Sequence, residues 1–390
     1  MLAQRTHTPM ASTWVRKAAD WAKRRGVVAL SAVFLLVPII LMYRAYSTTD
    51  VEAPRTWRPD RMKPAQVPAS APSVVEAVTN ATLGFEKLLV LSVRPSWRTR
   101  GLEAAAKLTG LDFTVLPQTP SPDDVLHAFQ QKAHGKGVGS AKAWLAHLDV
   151  LKYFISSGLE TALIVEDDLD WDVSLRTKQM ALVVDHVRNF TGVAADDLST
   201  ASPYGDAWDV LWLGHCGAEM RPVPAPASVA AAGWSSASQP YFDPLRLNGT
   251  GARPHWGLDT LRWKGTGWQH PPAGIRLVQD GGAVCSWAYA VSRRSADKVL
   301  ARMVQGDNQA FDIGLKDACD RSELNCVTVV PGVMSSYSPP ADLGYQSPVR
   351  VGDGKGVKGN ESDFEGVRGT TPDVVYSARC EALFAEQCIP

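Results

Sequence analysis

The sequence predicts an α/β fold beyond an N-terminal segment of different character. Three observations carry this. Apolar runs centred on Leu88–Val93, Ala162–Val165, Trp208–Leu213 and Asn325–Val330 have strand length and are too short for helices. Helical patterns alternate with them, the order of a sheet covered by helices. The first run opens a β-α-β unit, the usual start of a nucleotide-binding domain. The 390 residues leave room for one large domain or two small ones, and 45% hydrophobic content is ordinary for a globular chain. With 40 basic residues against 40 acidic, nothing electrostatic favours nucleic acid as a partner.

In chain order, residues 1–25 form a polar tail ending in Lys23-Arg24-Arg25. Gly26–Tyr43 follows without a charge, a length near the lower limit for crossing a bilayer. A secretory signal peptide is the competing reading, but its apolar core is shorter and no small-x-small cleavage site follows. Arg16, Lys17, Lys23, Arg24 and Arg25 precede the span, against Arg44, Arg55 and Arg58 after it. The positive-inside rule therefore puts the N-terminus in the cytosol. The expectation is a single-pass type II anchor through residues 26–43, a Pro-rich stem over 44–84 that acts as a spacer, and a lumenal domain over 85–390. Sequons at Asn80, Asn189, Asn248 and Asn360 agree with that side, weakly. Cys319/Cys326 and Cys380/Cys388 are spaced for local loops, which would leave Cys216 with Cys285, although six cysteines permit about fifteen pairings. The absence of C-x-x-C argues against zinc.

Phe85–Val93 is the opening strand, Arg98–Leu108 a helix ended by Gly110, and Asp112–Leu116 a second strand. No G-x-G-x-x-G occurs, so a dinucleotide fingerprint is unsupported. The first turn instead carries Arg94, Arg98 and Arg100, which can meet an anionic ligand where strand turns into helix; three surface arginines are the alternative. Ser121–Ala133 is a short helix with Pro122 at its first position. Ser140 is expected to cap a long amphipathic helix to about Ser156, with Trp144, Leu145, Leu148, Leu151, Phe154 and Ile155 on one stripe. His147, at the edge of that stripe, is expected to be a hydrogen-bonded structural residue rather than a ligand.

The next strand, Ala162–Val165, ends in Glu166, Asp167 and Asp168, with Asp170 and Asp172 close behind. Two like charges about 4 Å apart at an effective dielectric of about 20 repel by roughly 4 kcal/mol. Such a cluster needs open water or a cation. Alternation along an extended segment puts Glu166 and Asp168 on one side and Asp167 on the other. Converging hard oxygens suit Mn²⁺ or Mg²⁺, with substrate phosphates completing the shell. The bland alternative is a solvated acidic turn with one carboxylate capping a helix.

Gln179–Asn189 is helical, and Trp208–Leu213 is a buried strand followed by His215, which is either a site residue or a core histidine. Residues 218–282 show little periodicity and read as an irregular insertion containing Trp256, Trp263 and Trp268. Ala283–Ser292 is a strand, Ser295–Met303 a helix, Phe311–Cys319 a short helix bearing Asp312 and Asp317, and Asn325–Val330 the last strand. Residues 335–390 read as loops pinned by the last two cysteines.

Several blocks together resemble glycosyltransferase family 25, which includes lipooligosaccharide and collagen galactosyltransferases. They are Ala143–Leu148 (Ala-Trp-Leu-Ala-His-Leu), Gly158–Asp168 with its Glu-Asp-Asp, Trp208–Gly214 and Ala288–Ser292. Ala146 replaces the family's serine before His147, and the opening block Leu89–Arg100 matches loosely, with Ser92-Val93 for Asn-Leu and Arg98 and Arg100 for a double arginine. The resemblance implies a GT-A type fold, a UDP-sugar donor (UDP-galactose first), a glycan or glycoprotein acceptor, and Golgi or endoplasmic reticulum residence. It implies Glu166 and Asp168 as ligands of Mn²⁺ or Mg²⁺, with Asp167 and the three arginines on the nucleotide. The family is inverting, so a base must take the acceptor proton; Asp312 matches a downstream family aspartate, and His215 is second.

A catalytically inactive lumenal carbohydrate-binding or scaffold protein of the same fold is the alternative. A phosphatase reading of Asp168-Leu169-Asp170 fails because Asp172 stands where that class needs Thr or Val.

Overall fold

The computed structural model describes residues 73–118, 120–132, 137–194, 197, 200, 202–219, 221, 238–246, 274–306, 309–355 and 359–389. The expected tail, anchor, most of the stem and the three insertion tryptophans lie outside them. Among the described residues no helix is long and apolar enough to cross a membrane.

The fold begins before residue 85, inside the expected stem. Ser73 caps α1 (Val74–Val78) in a capping box with Glu76, and Val78 and Leu83 are fully buried. Then come β1 (Lys87–Ser92), α2 (Trp97–Thr109), β2 (Phe113–Pro117), α3 (Asp123–Lys132) and α4 (Val138–Ser157). β3 (Thr161–Glu166) and β4 (Leu169–Trp171) flank the acidic cluster, and a π-helical turn leads into α5 (Met180–Thr191). After β5 (Val210–Gly214) and β6 (Gly217–Ala218) come β7 (Ser238–Phe242), β8 (Ile275–Asp280), β9 (Ala283–Val284) and β10 (Ala288–Ser292). The chain closes with α6 (Arg293–Met303), α7 (Phe311–Asp320), β11 (Cys326–Val330), β12 (Met334–Ser336), α8 (Pro348–Gly352) and α9 (Ala378–Phe384).

The large sheet runs β2-β1-β3-β10-β5-β11-β8-β7, with β4 and β12 attached at its side. β2, β1 and β3 are mutually parallel, and β10 is antiparallel to both β3 and β5. The sheet is therefore mixed, and helices cover both faces. Ala162 and Ile164 of β3 face a core with Trp144, Leu151 and Phe154 of α4, whereas Leu163 and Val165 face one with Leu102, Val183 and Val187 of α2 and α5. Burial on both faces is why β3 reads as a continuous apolar run rather than an alternating one.

Three local expectations are corrected. Ser140 does not cap α4; the N-cap is Gly137, and Ser140 lies inside the first turn, where its backbone N–H and hydroxyl both donate to Asp353. The 218–282 segment is not wholly irregular, because β7 and β8 extend the sheet from within it. Arg276 of β8 is buried and paired with Asp243 at 2.7 Å, a polar interruption that hides the strand from a hydrophobic pattern. The C-terminal segment is built into the domain: β12 pairs with β4 and β5, and Arg379 of α9 fills the space over Gly101 of α2, where a Cβ would stand 2.2 Å from its Nε.

The cysteines pair as Cys216–Cys285, Cys319–Cys326 and Cys380–Cys388.

Candidate functional site

In the run β2-β1-β3, strand order reverses at β1, so the chain departs on opposite sides from neighbouring parallel strands. The crevice beyond the carboxyl ends of such strands is where open α/β sheets bind ligands. Ser92 ends β1 and Glu166 ends β3, so the acidic cluster lies in that crevice. The Ser92 hydroxyl donates to Asp167 Oδ2 at 2.6 Å across it.

Arg98 enters from the second turn position of α2, behind the N-cap Ser96. Its Nε lies 2.6 Å from Asp167 Oδ1 and its Nη2 2.8 Å from Asp168 Oδ2. Burial works against the charged guanidinium, but Asp168 and Asp167 outweigh it and hold Arg98 firmly protonated. Tyr345 stands beside it, 3.4 Å from Nη1. Arg94 and Arg100 do not converge on the crevice. They form exposed pairs with Glu361 and Glu365, so of the three arginines only Arg98 reaches the acids.

The five carboxylates divide by environment. Asp170 is fully buried and accepts hydrogen bonds from the Thr371 hydroxyl at 2.7 Å, the Ser377 hydroxyl and the Arg379 N–H at 3.0 Å. Asp172 accepts from the backbone of Ser174 and Tyr376. These two are joints between the sheet and the C-terminal segment. Glu166 and Asp168 are different. Burial, then the charge of Asp168, pushes Glu166 up to about 8, against the pull of Arg98 and the Ser286 hydroxyl. Burial also raises Asp168, against Arg98. Asp168 Oδ1 is buried without a hydrogen bond.

Among the described residues no three His, Cys, Asp or Glu side chains form a metal centre by themselves. A cation here would have two carboxylates from the chain and take its other ligands from phosphate and water, the habit of Mg²⁺ and Mn²⁺. The donor set fits: two carboxyl groups that burial disfavours as bare anions, the charge of Asp168 being felt at Glu166, and one Asp168 oxygen buried without a hydrogen bond. The Arg98 pair is the chain's own partial substitute for that charge.

Asp312, at the start of α7, accepts the Cys285 N–H at 2.7 Å, and its charge is felt at Glu166. It therefore stands close to the acids, tied to the loop that the Cys216–Cys285 disulfide holds. His215 is buried with Nε2 2.8 Å from the Val329 carbonyl of β11, a strand separated from β3 by β10 and β5. His147 is buried between Tyr289 and Ser286, stacked on Phe311 at 4.1 Å, and burial drives it down to about 3, so it is neutral.

Sequence reasoning gave no site role to Ser92, Ser286, Tyr345 or Arg379. Ser92 had a signal, being the last residue of the first strand of a β-α-β unit. The other three reach the site through long-range packing and carry none. Arg379 is fully buried, with its guanidinium 4.8 Å from the Tyr337 ring and 5.5 Å from the Trp97 ring. No protein-family model matches the sequence, and no curated protein is significantly similar to it.

Proposed function

We propose that this chain is a metal-dependent glycosyltransferase of GT-A type. It would move a hexose, galactose by the family resemblance, from a UDP-sugar to a glycan or glycoprotein acceptor. The observation that carries this is the position of Glu166 and Asp168: two buried carboxyl groups at the switch point of a parallel β2-β1-β3 unit, beside Arg98 at the start of α2.

In this reading Glu166 and Asp168 are the residues that would hold Mn²⁺ or Mg²⁺ for the donor diphosphate. The ion, when bound, neutralises charge that develops on the leaving nucleoside diphosphate. Arg98 keeps Asp167 and Asp168 oriented and adds positive charge beside the phosphates, as does the helix N-terminus. Asp312 is the group that accepts the acceptor hydroxyl proton, for an in-line, inverting attack. His215 serves the sheet through Val329 and ranks behind it. Three disulfides support an oxidising compartment. They agree with a type II, Golgi or endoplasmic reticulum protein anchored through residues 26–43.

One observation favours the inactive-scaffold alternative. Arg94, Arg98 and Arg100 are each paired with carboxylates of the chain itself, which lessens the charge available to a nucleotide. A screen of UDP-sugars for Mn²⁺-dependent release of UDP separates the two. Release from one donor supports the transferase; sugar binding without UDP or metal binding supports the scaffold.

A further inference from the structure

We infer that Tyr289, His147 and Ser286 form a one-way hydrogen-bond chain that positions Glu166, an inference that rests on the reading of Glu166 as a metal ligand. The Tyr289 hydroxyl lies 3.1 Å from His147 Nδ1, and His147 Nε2 lies 3.2 Å from Ser286 Oγ. Ser286 Oγ donates to Glu166 Oε1 at 2.9 Å. Proton counting sets the direction. With Glu166 ionised, as a metal ligand must be, the single Ser286 hydroxyl proton goes to the carboxylate, so Ser286 accepts from Nε2–H. A neutral imidazole with its proton on Nε2 accepts at Nδ1, so Tyr289 donates there. Every donor in the chain points toward Glu166.

The three residues are buried and come from different elements: His147 from α4, Tyr289 from β10, and Ser286 from the loop after the Cys216–Cys285 disulfide. The imidazole is further held by its stack on Phe311, next to Asp312. Glu166 is also fixed through its backbone, whose N–H donates to the Trp287 carbonyl at 3.0 Å. Ser286 engages Oε1, which orients the carboxylate without occupying its second oxygen. Outer partners of this kind typically govern metal affinity by about 10–100-fold. These are positioning residues; none is assigned contact with substrate.

The test is Mn²⁺ binding by the full chain with saturating UDP, followed through the electron paramagnetic resonance signal of free Mn²⁺. Ser286→Ala and His147→Leu should each weaken Mn²⁺ binding by about 10-fold or more. His147→Gln, whose amide can accept from Tyr289 and donate to Ser286, should recover much of the loss. The double variant should bind no more weakly than Ser286→Ala, because His147 acts only through Ser286. A merely structural role would lower melting temperature without this rescue or this non-additivity. If His147→Leu fails to fold, Ser286→Ala, which removes one hydroxyl, decides. Wild-type affinity in Ser286→Ala overturns the chain alone. A wild-type protein that binds no Mn²⁺ removes both the chain and the metal site.

Discussion

Replacing Asp170 with alanine separates the structural carboxylates from the functional ones. Asp170 is fully buried, and it satisfies Thr371 and Ser377 hydroxyls and the Arg379 N–H at the start of α9. Hydrogen bonds to a charged group contribute about 1.5 kcal/mol or more each, so losing all three costs roughly 4–5 kcal/mol. Burial penalises the ionised carboxyl, which is why its pKa is raised. Removing that penalty returns part of the loss and leaves a net cost of about 3 kcal/mol. At about 1.6 °C per kcal/mol for a domain of roughly 300 residues, the melting temperature should fall by roughly 5 °C. Scanning calorimetry checks this, with Mn²⁺ affinity measured well below the transition. A variant that melts with wild type but loses Mn²⁺ would refute the division, making Asp170 a ligand rather than a joint.

Three further outcomes follow from the same geometry. Asp168→Ala should reduce UDP-sugar turnover by at least about 100-fold, the equivalent of about 3 kcal/mol in the transition state. Steady-state assay at saturating Mn²⁺ measures it. Between the usual carboxylate value of 4.5 and about 8, the folded metal-free protein holds a proton on Glu166 that the unfolded chain releases. Stability should therefore fall as pH rises through that window, and melting curves of Glu166→Gln should lack that part of the slope. Arg94→Ala and Arg100→Ala remove only exposed pairs, so UDP affinity and melting temperature should match wild type, whereas Arg98→Ala should weaken both.

Much of the framework was legible because its signals are local. β3 announces itself as a β-branched run between Gly158 and the acids, and α4 as a stripe from Trp144 to Phe154. The opening β-α-β unit and the two short cysteine loops could be read from spacing, whereas Cys216–Cys285, 69 residues apart, was only what those two left over. β7 and β8 could not, since they lie at the far edge of the sheet and β8 carries a buried arginine whose partner, Asp243, is distant in sequence. Ser140 had the right residue type for a cap, but Asp353 engages it, a partner that no local pattern reveals. In the candidate site, the closeness of Arg98 to the acids was legible from charge at a strand end and a helix start, but strand alternation misplaced Asp167, which shares the Arg98 guanidinium with Asp168 because the strand has already turned there. Ser286 was not legible, because a serine beside a disulfide loop shows nothing until β10 folds against β3. The sequence could not divide Arg98 from Arg94 and Arg100, since only the turn of α2 decides which one faces inward.

The central claim is that Glu166 and Asp168 hold a divalent ion on a sugar nucleotide. Calorimetric titration of UDP into the protein, with and without Mn²⁺, tests it most directly. Binding that requires Mn²⁺ in the wild type and is absent in Asp168→Ala is the predicted result. UDP binding of equal strength without the metal, or unchanged in Asp168→Ala, would contradict it.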